Sequence, residues 1–155
     1  MSETNEMDEI IKLTPNPENA CFGCGGANDF GMKLTFEQDN THRRIVGRFV
    51  LGPRYQGGGG MAHGGIIATL LDEVMGKVSR FRGVRAVTAE LTVEYLKPVA
   101  VENGIFVEAH EEEHLQKGRN LFHVGEIRND AGQILARGRG RFVIVGQDEK
   151  KKSAV

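Results

Sequence analysis

Tyr55-Gln-Gly-Gly-Gly-Gly-Met-Ala-His63-Gly64-Gly65-Ile-Ile-Ala-Thr-Leu-Leu-Asp72-Glu73 runs without a break from a glycine loop, through a histidine, into an apolar segment that carries acids. Ile66, Ile67, Leu70, Leu71, Val74, Met75 and Val78 recur at helical spacing, which predicts a helix of about four turns from Gly64 to near Phe81. Its apolar residues cover much of the circumference, so other elements must wrap around it. No other segment carries a long helical period.

The flanking segments repeat every two residues instead. Lys33–Gln38 and Arg43–Leu51 read as two strands about an Asp39-Asn40 turn, and Ile10-Ile11 as a short docked turn or helix. Val87 to Tyr95 alternates, with Val87, Ala89, Leu91, Val93 and Tyr95 on one face, and Pro98 ends the strand. Gly104–His110, Asn120–Arg128 and Gln133–Val145 follow as strands, joined by turns at Lys117-Gly118-Arg119 and Asn129 to Gly132. The sum is an α+β architecture in which a curled antiparallel sheet wraps one long helix, the hotdog arrangement. The reading gives a polar tail over 1–19, one domain over 20–146 and a charged tail over 147–155.

The 155 residues fit a single domain. With 20 Lys and Arg against 21 Asp and Glu, no bulk charge favours nucleic acid or an anionic membrane. The longest apolar run, Ile66 to Leu71, falls far short of the roughly 20 residues of a membrane span, and the first residues are polar rather than signal-like. A cytoplasmic protein is expected, with small molecules or itself as partners. Cys21-Phe-Gly-Cys24 lacks a second ligand pair nearby, so the expectation is a reduced turn with no metal.

The chemistry gathers around the helix. Its start offers N–H groups and positive partial charge to an electron-rich atom, with Gly64 as the donor. His63 is placed as a positioning residue first and a base second. Glu73 has Lys77 at i+4, the order of a solvated pair, whereas Asp72 faces the small residues Gly65, Ala68, Thr69 and Gly76 and is favoured as the working acid. From Gly64 to Asp72 the rise is about 12 Å. One carbonyl cannot touch both, so joint action requires two chains with antiparallel helices, a homodimer. Lys117 and Arg119 are candidates for holding a phosphate. Gly57 to Ala62 fits a dinucleotide-type glycine pattern, but the meander that follows lacks the alternating helices that fold requires.

His63-Gly64-Gly65, Asp72, and Val87-Thr88-Ala89-Glu90-Leu91 leading to Tyr95-Leu-Lys-Pro98 resemble the hotdog-fold acyl-CoA thioesterases of the phenylacetate-pathway and 4-hydroxybenzoyl-CoA thioesterase type. Tyr55-Gln56-Gly57-Gly58 looks like the mammalian-type members. The resemblance spans Cys21 to Val145. It implies a thioester hydrolase in which Asp72 is nucleophile or general base, the Gly64 N–H polarises the thioester oxygen, and Thr88 orients the acid or the water. It also implies an acyl-CoA substrate, no separate cofactor, and a homodimer or dimer of dimers with sites between subunits. Gln56, Gly65 and Glu73 join Lys117 and Arg119 as candidates for substrate contact. A noncatalytic acyl-CoA binder and a hotdog hydratase or dehydratase are the alternatives.

Overall fold

The computed structural model describes residues 9–148; the expectations for residues 1–8 and 149–155 lie outside them. Seven strands, β1 (Ile10–Leu13), β2 (Phe36–Asp39), β3 (Arg44–Val50), β4 (Val84–Tyr95), β5 (Gly104–Glu111), β6 (Asn120–Asn129) and β7 (Ile134–Gln147), form one antiparallel sheet in the order β1-β2-β3-β5-β6-β7-β4. The single α-helix among the described residues, α1 (Gly64–Gly76), lies against one face of it. Ile67, Leu70, Leu71, Val74 and Met75 of α1 are buried together with Phe36, Ile45, Val107, Ile127 and Phe142 of the sheet.

The helix sits close to the sheet because glycines face it. Gly125 and Gly138 are register partners on β6 and β7. A Cβ at Gly138 would lie 3.0 Å from Met75 Cε and 3.3 Å from Leu71 Cβ. The opposite face of the sheet is charged and solvated: Arg44 and Arg128 reach Glu108, and Arg128 and Arg137 reach Glu126.

Four expectations change. Ile10–Leu13 is neither turn nor helix but an edge strand in register with β2. The helix is α-helical only to Gly76, and a 3-10 segment, Lys77–Arg82, continues it to Gly83 at φ 65°. The reason is competition for the last carbonyls: the Ser79 hydroxyl donates to Gly76 O at 2.9 Å and His123 Nδ1–H to Met75 O at 2.7 Å. Strand β4 starts at Val84, three residues earlier than its pattern suggested. It also does not keep a single phase. The pairing with β7 shifts between Thr88 and Glu90, a bulge that leaves Ala89 extra. Val84 and Ala86 pack inward before the bulge, Leu91 and Val93 after it, and Val87 turns out, 52% exposed.

Candidate active site

At the helix start the chain doubles back on itself. Gln56 bridges Ala62, Gly57 N–H donates to Met61 O at 2.7 Å, and His63 N–H donates to Tyr55 O at 2.8 Å. Gly59 and Gly60 turn the loop at φ 60° and 79°, which glycine adopts at little cost. His63 is the N-cap, and its Nδ1 accepts the Gly65 N–H at 2.9 Å. A ring that accepts at Nδ1 carries its proton on Nε2, so neutral His63 has no lone pair left for a base in this arrangement. Gly65 is thereby occupied as a donor. Among the described residues nothing accepts from the Gly64 N–H, the first amide of the helix. The Tyr95 hydroxyl fixes this end by donating to Gly64 O at 2.7 Å. Gly64 borders a cavity of about 400 Å³ whose walls include Met61, Ile67, Leu96, Pro98 and Val99.

Two turns on, Asp72 and Glu73 part company. The Thr88 hydroxyl donates to Asp72 Oδ1 at 2.6 Å. It can do so because the bulge at Ala89 puts Thr88 on the same face as Leu91, where strict alternation would turn it away. Glu73 instead meets Lys77 Nζ at 4.0 Å and accepts from the Cys21 thiol at 3.6 Å. Both acids border a cleft of about 680 Å³, walled also by Lys12, Cys24, Arg80, Arg85, Val87 and Phe142. The Gly64 cavity and the Asp72 cleft share no lining residue.

Thus Asp72 and Thr88 come together, as do His63, Gly64 and Gly65, but the two groups stand at opposite ends of α1. Gln56 is exposed beside the histidine loop. Lys117 and Arg119 are at neither place: Lys117 bridges Asn120 in the turn before β6, and the Arg119 guanidinium donates to Ile144 O at 3.1 and 3.2 Å. The cations at the cleft are Lys12, Lys77, Arg80 and Arg85. Of these the sequence marks only Lys77, as the i+4 partner of Glu73; Lys12 and Arg85 stand on strands that reach the cleft only through tertiary packing. Sequence reading also passed over the role of Tyr95, whose place in an alternating strand was explanation enough.

Comparisons with known proteins bear on the fold and on the segment that holds α1. Residues 59–125, which hold the histidine loop, α1 and β4, match the thioesterase superfamily. Acyl-coenzyme A thioesterase THEM4 of Xenopus laevis is 30% identical over 105 residues, 68% of this chain and 46% of that protein. Human acyl-coenzyme A thioesterase 13 is 32% identical over 84 residues, 52% of this chain and 58% of that protein. The chain spans about half the length of the curated relatives it matches. A solved thioesterase superfamily protein superposes with a TM-score of 0.73 at 27% identity, over 80% of this chain and 60% of that one. The matched segment and the superposed fold make this chain similar to the thioesterase superfamily over the histidine loop, the helix and the sheet around it.

Proposed function

We propose that the protein hydrolyses an acyl-CoA thioester to the free acid and CoA, with Asp72 as the reacting acid. The observation that carries the reading is the 2.6 Å hydrogen bond from Thr88 to Asp72 in an open cleft, while the neighbouring Glu73 is engaged elsewhere. The relatives named for acyl-coenzyme A thioesterase activity supply the substrate class. Asp72 either attacks the thioester carbon, expelling the CoA thiolate to leave an anhydride that water cleaves, or takes a proton from the water that attacks. Thr88 holds the carboxylate in one orientation. The Gly64 N–H meets the oxygen as negative charge builds on it.

These two groups act on one carbonyl only if each comes from a different subunit, so the working form is a homodimer, alone or paired again. Strand β4 supports this reading. It is a 12-residue edge strand with Val87 and Tyr95 more than half exposed, an open row of pairing groups of the kind a second copy covers. Arg85 and Lys12 at the cleft, rather than Lys117 and Arg119, are the candidates for the CoA phosphates.

The test is free-thiol release from a panel of acyl-CoAs by wild type and Asp72→Asn. Hydrolysis that falls by orders of magnitude in a folded Asp72→Asn variant is expected. Wild-type rates from that variant would remove Asp72 from the chemistry. Binding without thiol release would favour a noncatalytic acyl-CoA carrier, and a spectral change at an enoyl group without thiol a hydratase.

A further inference from the structure

The Cys21–Cys24 loop meets Glu73 in a way that chain spacing does not show. The loop is braced from both sides: Cys21 N–H donates to Asn19 Oδ1 at 2.7 Å, Gly25 N–H to Cys21 O at 2.9 Å, Met32 N–H to Phe22 O at 2.7 Å, and Leu34 N–H to Gly23 O at 2.9 Å. It presses on α1 so closely that a Cβ at Gly23 would lie 2.4–2.6 Å from the Glu73 carboxyl. The ligand atoms of Cys21, Cys24 and Glu73 all lie within 4.8 Å of one another, and each of the three residues is half-buried. We propose that Cys21, Cys24 and Glu73 bind one zinc ion, leaving a fourth position for water.

The geometry fits the ion. Zinc bonds of about 2.3 Å to sulfur and 2.0–2.2 Å to oxygen at tetrahedral angles put neighbouring sulfur and oxygen ligands about 3.5 Å apart. Cys21 Sγ and Glu73 Oε1 are 3.6 Å apart. The other carboxylate oxygen, Oε2, is the one facing Lys77 at 4.0 Å, so ion pair and metal do not compete for the same atom. Charge closes as well: two thiolates and a carboxylate balance the divalent ion together with the Lys77 ammonium. Thiolates select zinc over magnesium or calcium, and a mixed sulfur and oxygen set with three protein ligands is within its range. Zinc binding releases the protons of both thiols as it forms the thiolates. The ion would tie the segment before β2 to the helix one residue from Asp72, in the wall of the same cleft.

The full chain, purified under reducing conditions, provides the test. Metal analysis is expected to give about one zinc per chain. Cobalt titration of the stripped protein should give thiolate-to-cobalt charge transfer and the strong d–d bands of a four-coordinate ion. Cys24→Ser should abolish both signals, and Glu73→Gln should weaken affinity by about tenfold or more. Asp72→Asn should bind zinc as wild type does, which separates this site from the hydrolytic reading. A reduced wild-type chain that retains no zinc and gives no cobalt spectrum would overturn the proposal without reliance on any variant. So would a Cys21–Cys24 disulfide with no metal after reduction, or undiminished binding by Cys24→Ser.

Discussion

Gly64→Pro removes one hydrogen-bond donor and almost nothing else. Gly64 is the first helical residue, where a proline's missing N–H costs the helix no bond and its fixed φ suits the turn. His63 before it stands at φ −62° and ψ 136°, the extended region that a residue preceding proline prefers. A Cβ at position 64 would meet Tyr95 no closer than 3.5 Å, an ordinary contact. Stability should therefore hold, or rise by about 0.4–1 kcal/mol as the unfolded chain loses freedom. If the Gly64 N–H faces the thioester oxygen, its loss should lower kcat by about 10²–10³-fold, or roughly 2.7–4 kcal/mol of barrier. Gly64→Ala, which keeps the N–H, should stay near wild type. Thiol-release kinetics with thermal melting separate the two effects. Mixing then tests where the sites lie. Subunits bearing Gly64→Pro and subunits bearing Asp72→Asn, each inactive alone, should regain about a quarter of wild-type activity after random exchange, because half the dimers carry one intact site of two. A Gly64→Pro enzyme with unchanged kcat would refute the donor assignment, and a mixture with no recovery would refute the shared site.

Three further outcomes follow from the geometry. Thr88→Val should lower kcat by about tenfold with little change in KM, the lower end of the ~1.5–3 kcal/mol for a hydrogen bond to a charged group, since Thr88 is exposed; rescue by Thr88→Ser is expected, and wild-type kcat in the valine variant would count against orientation of Asp72. His63→Ala should cost about 1 kcal/mol of stability as the Gly65 cap is lost, with a small kinetic effect that His63→Asn restores; a collapse of kcat in both variants would make the histidine a base after all. His123 is buried, stacked on Phe142, and burial pulls its pKa down to about 4, from 6.5 in an unfolded chain, against the opposing pull of Met75 O. Between those values the unfolded chain holds the proton and the folded one does not, so stability is full above pH 6.5 and falls on acidification. The expected loss from pH 7 to pH 5 is about 2 kcal/mol. Urea unfolding of wild type against His123→Gln checks it, and equal pH dependence in the two would refute it.

The parts of the fold that could be read in advance are those where local periodicity and tertiary environment coincide. The apolar stripe from Ile66 to Val78 and the alternation in β5 to β7 are of that kind, as is the separation of Asp72 from Glu73 through Lys77. What escaped depends on partners distant in the chain. Strand β1 shows no alternation because its residues are mostly exposed, and only pairing with β2 defines it. The helix changes its winding at Gly76 because Ser79 and His123 take carbonyls, and His123 comes from β6. Thr88 was singled out by resemblance alone, since the bulge that aims it has no mark in an evenly alternating sequence. Lys117 and Arg119 drew attention as a basic turn, yet the cations at the cleft are scattered over β1, the 3-10 extension of α1 and β4. Glu73 read as a solvated acid because the cysteine loop that meets it lies far away in sequence.

Strand β4 touches both ends of the helix through hydroxyl groups, Thr88 on Asp72 and Tyr95 on Gly64 O, and it is also an edge of the sheet. A second copy in the proposed dimer would cover that edge. In a separated subunit β4 is held on one side only and opens more readily than a central strand, in fluctuations well short of global unfolding. A single such excursion of β4 would release both contacts at once. Function would then fail as a unit while the core around α1 persisted, and amide exchange along Val84–Tyr95 would track activity more closely than the melting temperature does.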